Sequence, residues 1–116
     1  MKSARDKLMD ILSNYQGYKR ETVILVFDAY KVPGGTERVL RYHNLDVVFT
    51  RQAETADQYI ERTAHKYSKN NRVTVATSDA IEQVIIYGAG AMRMSASDFW
   101  YEIKRTEDEI REKLHI

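Results

Sequence analysis

Residues 22–28 read Thr22-Val23-Ile24-Leu25-Val26-Phe27-Asp28, an almost unbroken β-branched and apolar run closed by a carboxylate. Strict alternation of apolar and polar residues would mark a strand with one wet face. A continuous run of this kind instead predicts a strand buried on both faces, in a parallel sheet covered by helices. Two further runs repeat the pattern. Leu45 to Thr50 is followed by Glu54 and Asp57, and Arg72 to Thr77 leads to Asp79. Parallel strands would deliver these acids to one edge, where open α/β sheets bind their ligands.

Working outward, Leu8, Ile11, Leu12 and Tyr15 recur at helical spacing behind Ser3 and Asp6, which predicts a capped amphipathic helix ending near Gly17. Val32-Pro33-Gly34-Gly35 predicts a loop across 31–37. The segment from Thr55 to Tyr67 carries Ala56, Tyr59, Ile60, Ala64 and Tyr67 on one helical face. Ile81, Val84, Ile85 and Ile86 suggest a short helix closed by Gly88, with Asp79 and Glu82 as its capping box. Ala91 to Met94 reads as an edge strand, and Ser95 with Asp98 caps a long last helix bearing Phe99, Ile103, Ile110 and Leu114. Alternating strands and helices give a single α/β domain over residues 1–116, with a mostly parallel sheet.

Composition narrows the function classes. Eighteen Lys and Arg against seventeen Asp and Glu leave no strong overall field, so any nucleic-acid contact must come from a local patch. Arg51, Arg72, Arg93 and Lys31, near strand ends and loops, are candidates to hold phosphates, and Tyr30 and Tyr42 to stack on unpaired bases. Without cysteine there is no disulfide, thiol catalysis or thiolate zinc site, which fits a cytoplasmic setting. No apolar run approaches membrane-spanning length, so no membrane partner is expected. His43, His65 and His115 have no metal-ligand spacing, and Ser78 and Ser95 lack the context of a hydrolase nucleophile.

The acids carry the chemistry. Each alone is explained as a cap, a turn residue or a first-turn acid favoured by the helix dipole. Their convergence is not, because carboxylates gathered at one point repel one another and need a cation or a proton. Asp28, Asp57 and Asp79 would suit Mg²⁺ or Mn²⁺, hard ions that take carboxylate and water oxygens and support phosphodiester hydrolysis. Glu54, at i,i+3 from Asp57, can face the same point.

Four stretches together resemble the YacP-like NYN domain family, part of the PIN-like nuclease superfamily. They are Val26-Phe27-Asp28-Ala29, Val48-Phe49-Thr50 with Glu54-Thr55-Ala56-Asp57, Ala76-Thr77-Ser78-Asp79, and Gly88-Ala89-Gly90-Ala91-Met92-Arg93-Met94-Ser95-Ala96. The resemblance implies a PIN-like three-layer α/β/α sandwich and a ribosome-associated, metal-dependent endoribonuclease acting on messenger RNA. Asp57 and Asp79 would be site acids, with Asp28 beside them, Glu54 a weaker candidate, and Ser78 joining Arg51, Arg93 and Lys31 at the RNA. Members of the family usually begin with a strand ending in Asp-Gly-Tyr-Asn, which Met1 to Glu21 do not match. The resemblance therefore implies an N-terminally truncated domain lacking its first strand, whose exposed neighbours would re-pair or be covered in a homodimer. A second reading is a catalytically impaired fragment that binds RNA or the ribosome. A third is a receiver-like domain with Asp28 as phosphoacceptor.

Overall fold

The computed structural model describes residues 3–79, 88 and 90–114. Ser3 opens the first helix, α1 (Ala4–Lys19), by accepting from the Asp6 amide at 3.1 Å. The helix runs through Gly17, the expected stop, and ends where Arg20 turns left-handed at φ 57° and donates its amide to the Gln16 carbonyl. Strand β1 (Ile24–Phe27) follows, then β2 (Arg38–Tyr42), β3 (Leu45–Phe49), α2 (Ala56–Tyr67), β4 (Thr74–Thr77), β5 (Met92–Ser95) and α3 (Ala96–Leu114). Thr55 and Gln58 form a reciprocal capping box on α2. On α3 the Ser95 hydroxyl accepts from the Asp98 amide at 3.0 Å. The short helix expected over 81–86 lies outside the described residues, as do Glu82 of its capping box, Ala89 and His115.

The strands form two sheets, β1-β3-β2 and β4-β5. Strand β1 runs parallel to β3 with Phe27 opposite Phe49, and β4 runs parallel to β5 with Val75 opposite Arg93. Strand β2 was not anticipated. It pairs antiparallel to β3 across the two-residue turn His43-Asn44, with His43 left-handed at φ 54°. As an edge strand of its sheet, β1 is only half-buried, and Ile24 is exposed, so burial on both faces holds for β3 instead. Among the described residues β1 and β4 do not pair with each other, so each keeps one open edge and the expected re-pairing does not occur.

Helices cover both faces. Met9, Leu12 and Tyr15 of α1 meet Leu45 and Val47 of β3 and Ile103 of α3 in the main core. On the opposite face Tyr59 of α2 lies over Ile24, Val39 and Val48. A smaller core joins Ala64 and Ile60 of α2 to Val73, Val75 and Ala91. Thus α2 touches both sheets from one side, and α3 packs on β4 and β5 while sharing the main core from the other. The result is a three-layer α/β/α arrangement in which residues just after β1 and β4 both lie within electrostatic reach of the first turn of α2. Among the described residues no helix is long and apolar enough to cross a membrane.

Candidate active site

Three carboxyl-end segments build the site. Asp28 follows β1 and closes an Asx turn, its carboxylate accepting from the Tyr30 amide at 3.2 Å. The loop behind it is tied to the one after β3. Buried Thr50 accepts from the Ala29 amide at 2.9 Å, Ala53 donates to the Tyr30 carbonyl at 2.9 Å, and Gln52 holds the Gly34 and Gly35 backbone. Gly34 sits at φ 67°, a conformation that suits glycine. Asp57 projects from the first turn of α2. Asp79 follows β4, its amide donating to the Thr77 hydroxyl at 3.2 Å.

Electrostatics brings the three together. The Asp57 carboxyl is pushed above its ordinary value by loss of water, then by the charges of Asp79, Glu61 and Asp28. Four acids from a strand end, a helix face and a second strand end therefore share one field. Glu61 was not singled out from the sequence. Its signal was present, since it lies at i,i+4 from Asp57 and so on the same side of α2.

Glu54 is directed elsewhere. It is only 7% exposed and takes a two-point grip from Arg62, Nε to Oε2 at 3.0 Å and Nη2 to Oε1 at 3.1 Å. Arg62 also reaches Glu37 at 2.5 Å, and Arg51 stands 3.8 Å from Glu54. The hydrogen bonds from Arg62 hold the Glu54 carboxyl below its usual range, and the same bonds push the Arg62 guanidinium further up. Glu54 is thus a neutralised anchor between the 31–37 loop and α2, separate from the field around Asp57.

The expected RNA contacts are scattered. Arg51 borders an open groove of about 780 Å³ with Gly34, Gly35, Thr36, Glu37, Gln52 and Arg62. Lys31 lies 5.5 Å from the Tyr30 ring centre, near Asp28 in sequence. Ser78 is exposed beside Asp79, and Arg93 is exposed on β5. Tyr42 instead donates its hydroxyl hydrogen to Asp10 on α1, which gives it a structural role.

The donor set suits a hard divalent ion, being made of carboxylates whose charges act on one another. Among the described residues no three acids or histidines close into a ready-made coordination sphere.

Comparison with known proteins bears on the family and the fold. The YacP-like NYN domain model matches residues 1–116. The chain is 39% identical over 112 residues to the Bacillus subtilis protein YacP, covering 96% of this chain and 65% of that protein. It is similar to the crystal structure of a mutant of Rae1 (YacP) from Bacillus subtilis, with TM-score 0.81, 37% identity, and coverage of 97% of this chain and 65% of that one. A second crystal structure of Rae1 (YacP) gives TM-score 0.75 and 39% identity over 97% of this chain and 64% of that one. The fold is therefore PIN-like, and the chain spans just under two thirds of the length of these relatives.

Proposed function

The chain belongs to the YacP-like NYN domain family, and from that premise we propose that it is a metal-dependent endoribonuclease that cuts messenger RNA in the cytoplasm in association with the ribosome. The observation that carries this reading is the convergence of Asp28, Asp57 and Asp79 from three chain segments on one field of negative charge. Such a cluster costs the fold stability unless a cation offsets it, so its presence supports Mg²⁺ or Mn²⁺ as the cofactor. The bound ion would supply charge neutralisation at the scissile phosphodiester and a more acidic water nucleophile.

The chain's own residues set the geometry. Thr50 fixes the start of the loop that carries Asp28, and the capping box fixes the first turn of α2 that carries Asp57. Asp57, whose carboxyl is raised by loss of water and by neighbouring acids, is the one assigned to accept or return a proton during hydrolysis. Lys31, Arg51, Arg93 and Ser78 would meet the RNA backbone around this edge.

Incubation with single-stranded RNA and Mn²⁺, beside Asp57→Asn, tests the proposal. Cleavage by the wild-type chain and its loss in the variant are expected; equal cleavage by both would refute the assigned site. One second reading is an RNA- or ribosome-binding domain without cutting activity, since among the described residues no three acids or histidines form a ready-made metal group. It predicts salt-sensitive RNA binding, unaffected by Asp57→Asn, with no metal-dependent products. The open edges of β1 and β4 support a homodimer that covers them, and light scattering returning only a monomer would remove that part.

A further inference from the structure

Phe27 and Phe49 are register partners at the carboxyl ends of β1 and β3, and their rings stack at 5.4 Å with an interplanar angle of 23°. Two guanidinium groups rest on this pair. Arg5, from the first turn of α1, lies 5.0 Å from the Phe27 centroid and 5.3 Å from that of Phe49, and Arg38, the cross-strand partner of Phe49 on β2, lies 5.0 Å from its ring.

Several arginines here are spent on carboxylates: Arg41 on Asp46, Arg51 on Glu54, Arg62 on Glu54 and Glu37, Arg105 on Glu102 and Glu109, and Arg111 on Asp108. Among the described residues neither Arg5 nor Arg38 forms an ion pair, and both are exposed. Aromatic stacking occupies the flat face of a guanidinium and leaves its edge N–H donors available. Two like charges held over one aromatic support also repel each other, so the arrangement favours an anion that can accept from both.

We infer that Arg5 and Arg38 form a phosphate clamp for the RNA strand on the α1 side of the carboxyl edge. Phe27, which supports Arg5, immediately precedes Asp28, and alternation along β1 sends Asp28 toward the opposite face, where Asp57 stands. A phosphodiester chain crossing this edge would run from the acids on one face to the arginines on the other. The planar fork suits phosphate oxygens in a way a surface lysine does not. The clamp rests on the reading of RNA as substrate, and it adds a site on the other side of the sheet edge from the acids.

The test is fluorescence anisotropy with a labelled single-stranded RNA oligonucleotide in EDTA, so that binding is read without metal or cleavage. Wild type, Arg38→Gln, Arg5→Gln with Arg38→Gln, Arg5→Lys with Arg38→Lys, and Arg111→Gln as a distant control are compared across a salt series. The double Gln variant is expected to bind about tenfold or more weakly, with the slope of log affinity against log salt smaller by about 1.4, two phosphates at about 0.7 each for a single strand. The Lys pair should keep the salt slope yet lose several-fold in affinity, and the control should match wild type. Arg38→Gln alone, on an exposed edge strand, should lose several-fold with an unchanged melting temperature, which separates lost contact from lost folding. Wild-type binding that all these variants share would overturn the clamp and leave the RNA reading intact. No RNA binding by the wild-type chain would overturn both.

Discussion

Glu54 and Asp57 stand three residues apart in one motif and live in opposite electrostatic worlds. Glu54 is buried, gripped by Arg62 and lowered below its usual ionisation range. Asp57 is half-buried, surrounded by Asp79, Glu61 and Asp28, and raised above it. The start of α2 lies between them, so one acid points back to brace a loop while the other faces the meeting of two strand ends. The contrast separates an acid that stabilises the fold from one that the fold tolerates at a cost.

The largest expected effect breaks the comparison at its functional end. Under the proposed activity, Asp57→Asn should lower Mn²⁺-dependent RNA cleavage by at least about a hundredfold, a loss of about 2.7 kcal/mol in transition-state stabilisation or more. Glu54→Gln, assayed below its own unfolding transition, should retain most of the cleavage rate. The structural end is probed by Arg62→Met, which strands the Glu54 carboxylate in a buried setting. A destabilisation of about 2–3 kcal/mol in urea titration is expected, at or below the range for broken buried pairs because Arg62 itself is half exposed. Thr50→Val sharpens the picture of how Asp28 is held. The Ala29 amide loses its acceptor, costing about 1–2 kcal/mol in the same titration.

The smallest effect is the pH dependence, measured in chelator. Glu54, with a lowered folded value, contributes stability that is present above its unfolded value of about 4.3 and is lost as pH falls through the folded one. Asp57, with a raised folded value, does the reverse. Its contribution is complete below its unfolded value of about 3.9 and is lost as pH rises through the folded one. Asp57→Asn should therefore stabilise the metal-free protein at pH 7 by under about 1 kcal/mol, discounted for the exposure of the group, and the gain should shrink toward pH 4. A variant less stable than wild type at pH 7 would show that Asp57 has a favourable partner in the fold.

Much of this was legible in the sequence because it was local. The Ser3, Thr55 and Ser95 starts follow from capping chemistry that operates within three residues. The places of Asp28 and Asp79 just after strands follow from the β-type runs before them, whereas β1 and β4 lie in separate sheets, which the sequence did not show. Strand β2 escaped because Val39 and Leu40 are adjacent and both exposed, so no alternation marks Arg38 to Tyr42, and only the His43-Asn44 turn hinted at a hairpin. The grip on Glu54 was not legible because Arg62 is 8 residues away and itself binds Glu37, 25 residues before it, pairings that become visible only after folding. The pairing of Arg5 and Arg38 over stacked phenylalanines joins residues from α1 and β2, which no spacing rule connects.

The central claim is that Asp57, and not Glu54, belongs to a cluster that calls for a cation. Thermal unfolding with and without Mn²⁺ reads this directly, because an ion that binds only the folded state stabilises it by about 2.7 kcal/mol at a hundred times its dissociation constant. The account predicts a rise in melting temperature with Mn²⁺ for the wild-type chain and for Glu54→Gln, and none for Asp57→Asn. An equal rise in all three proteins, or no rise in the wild type, would contradict it.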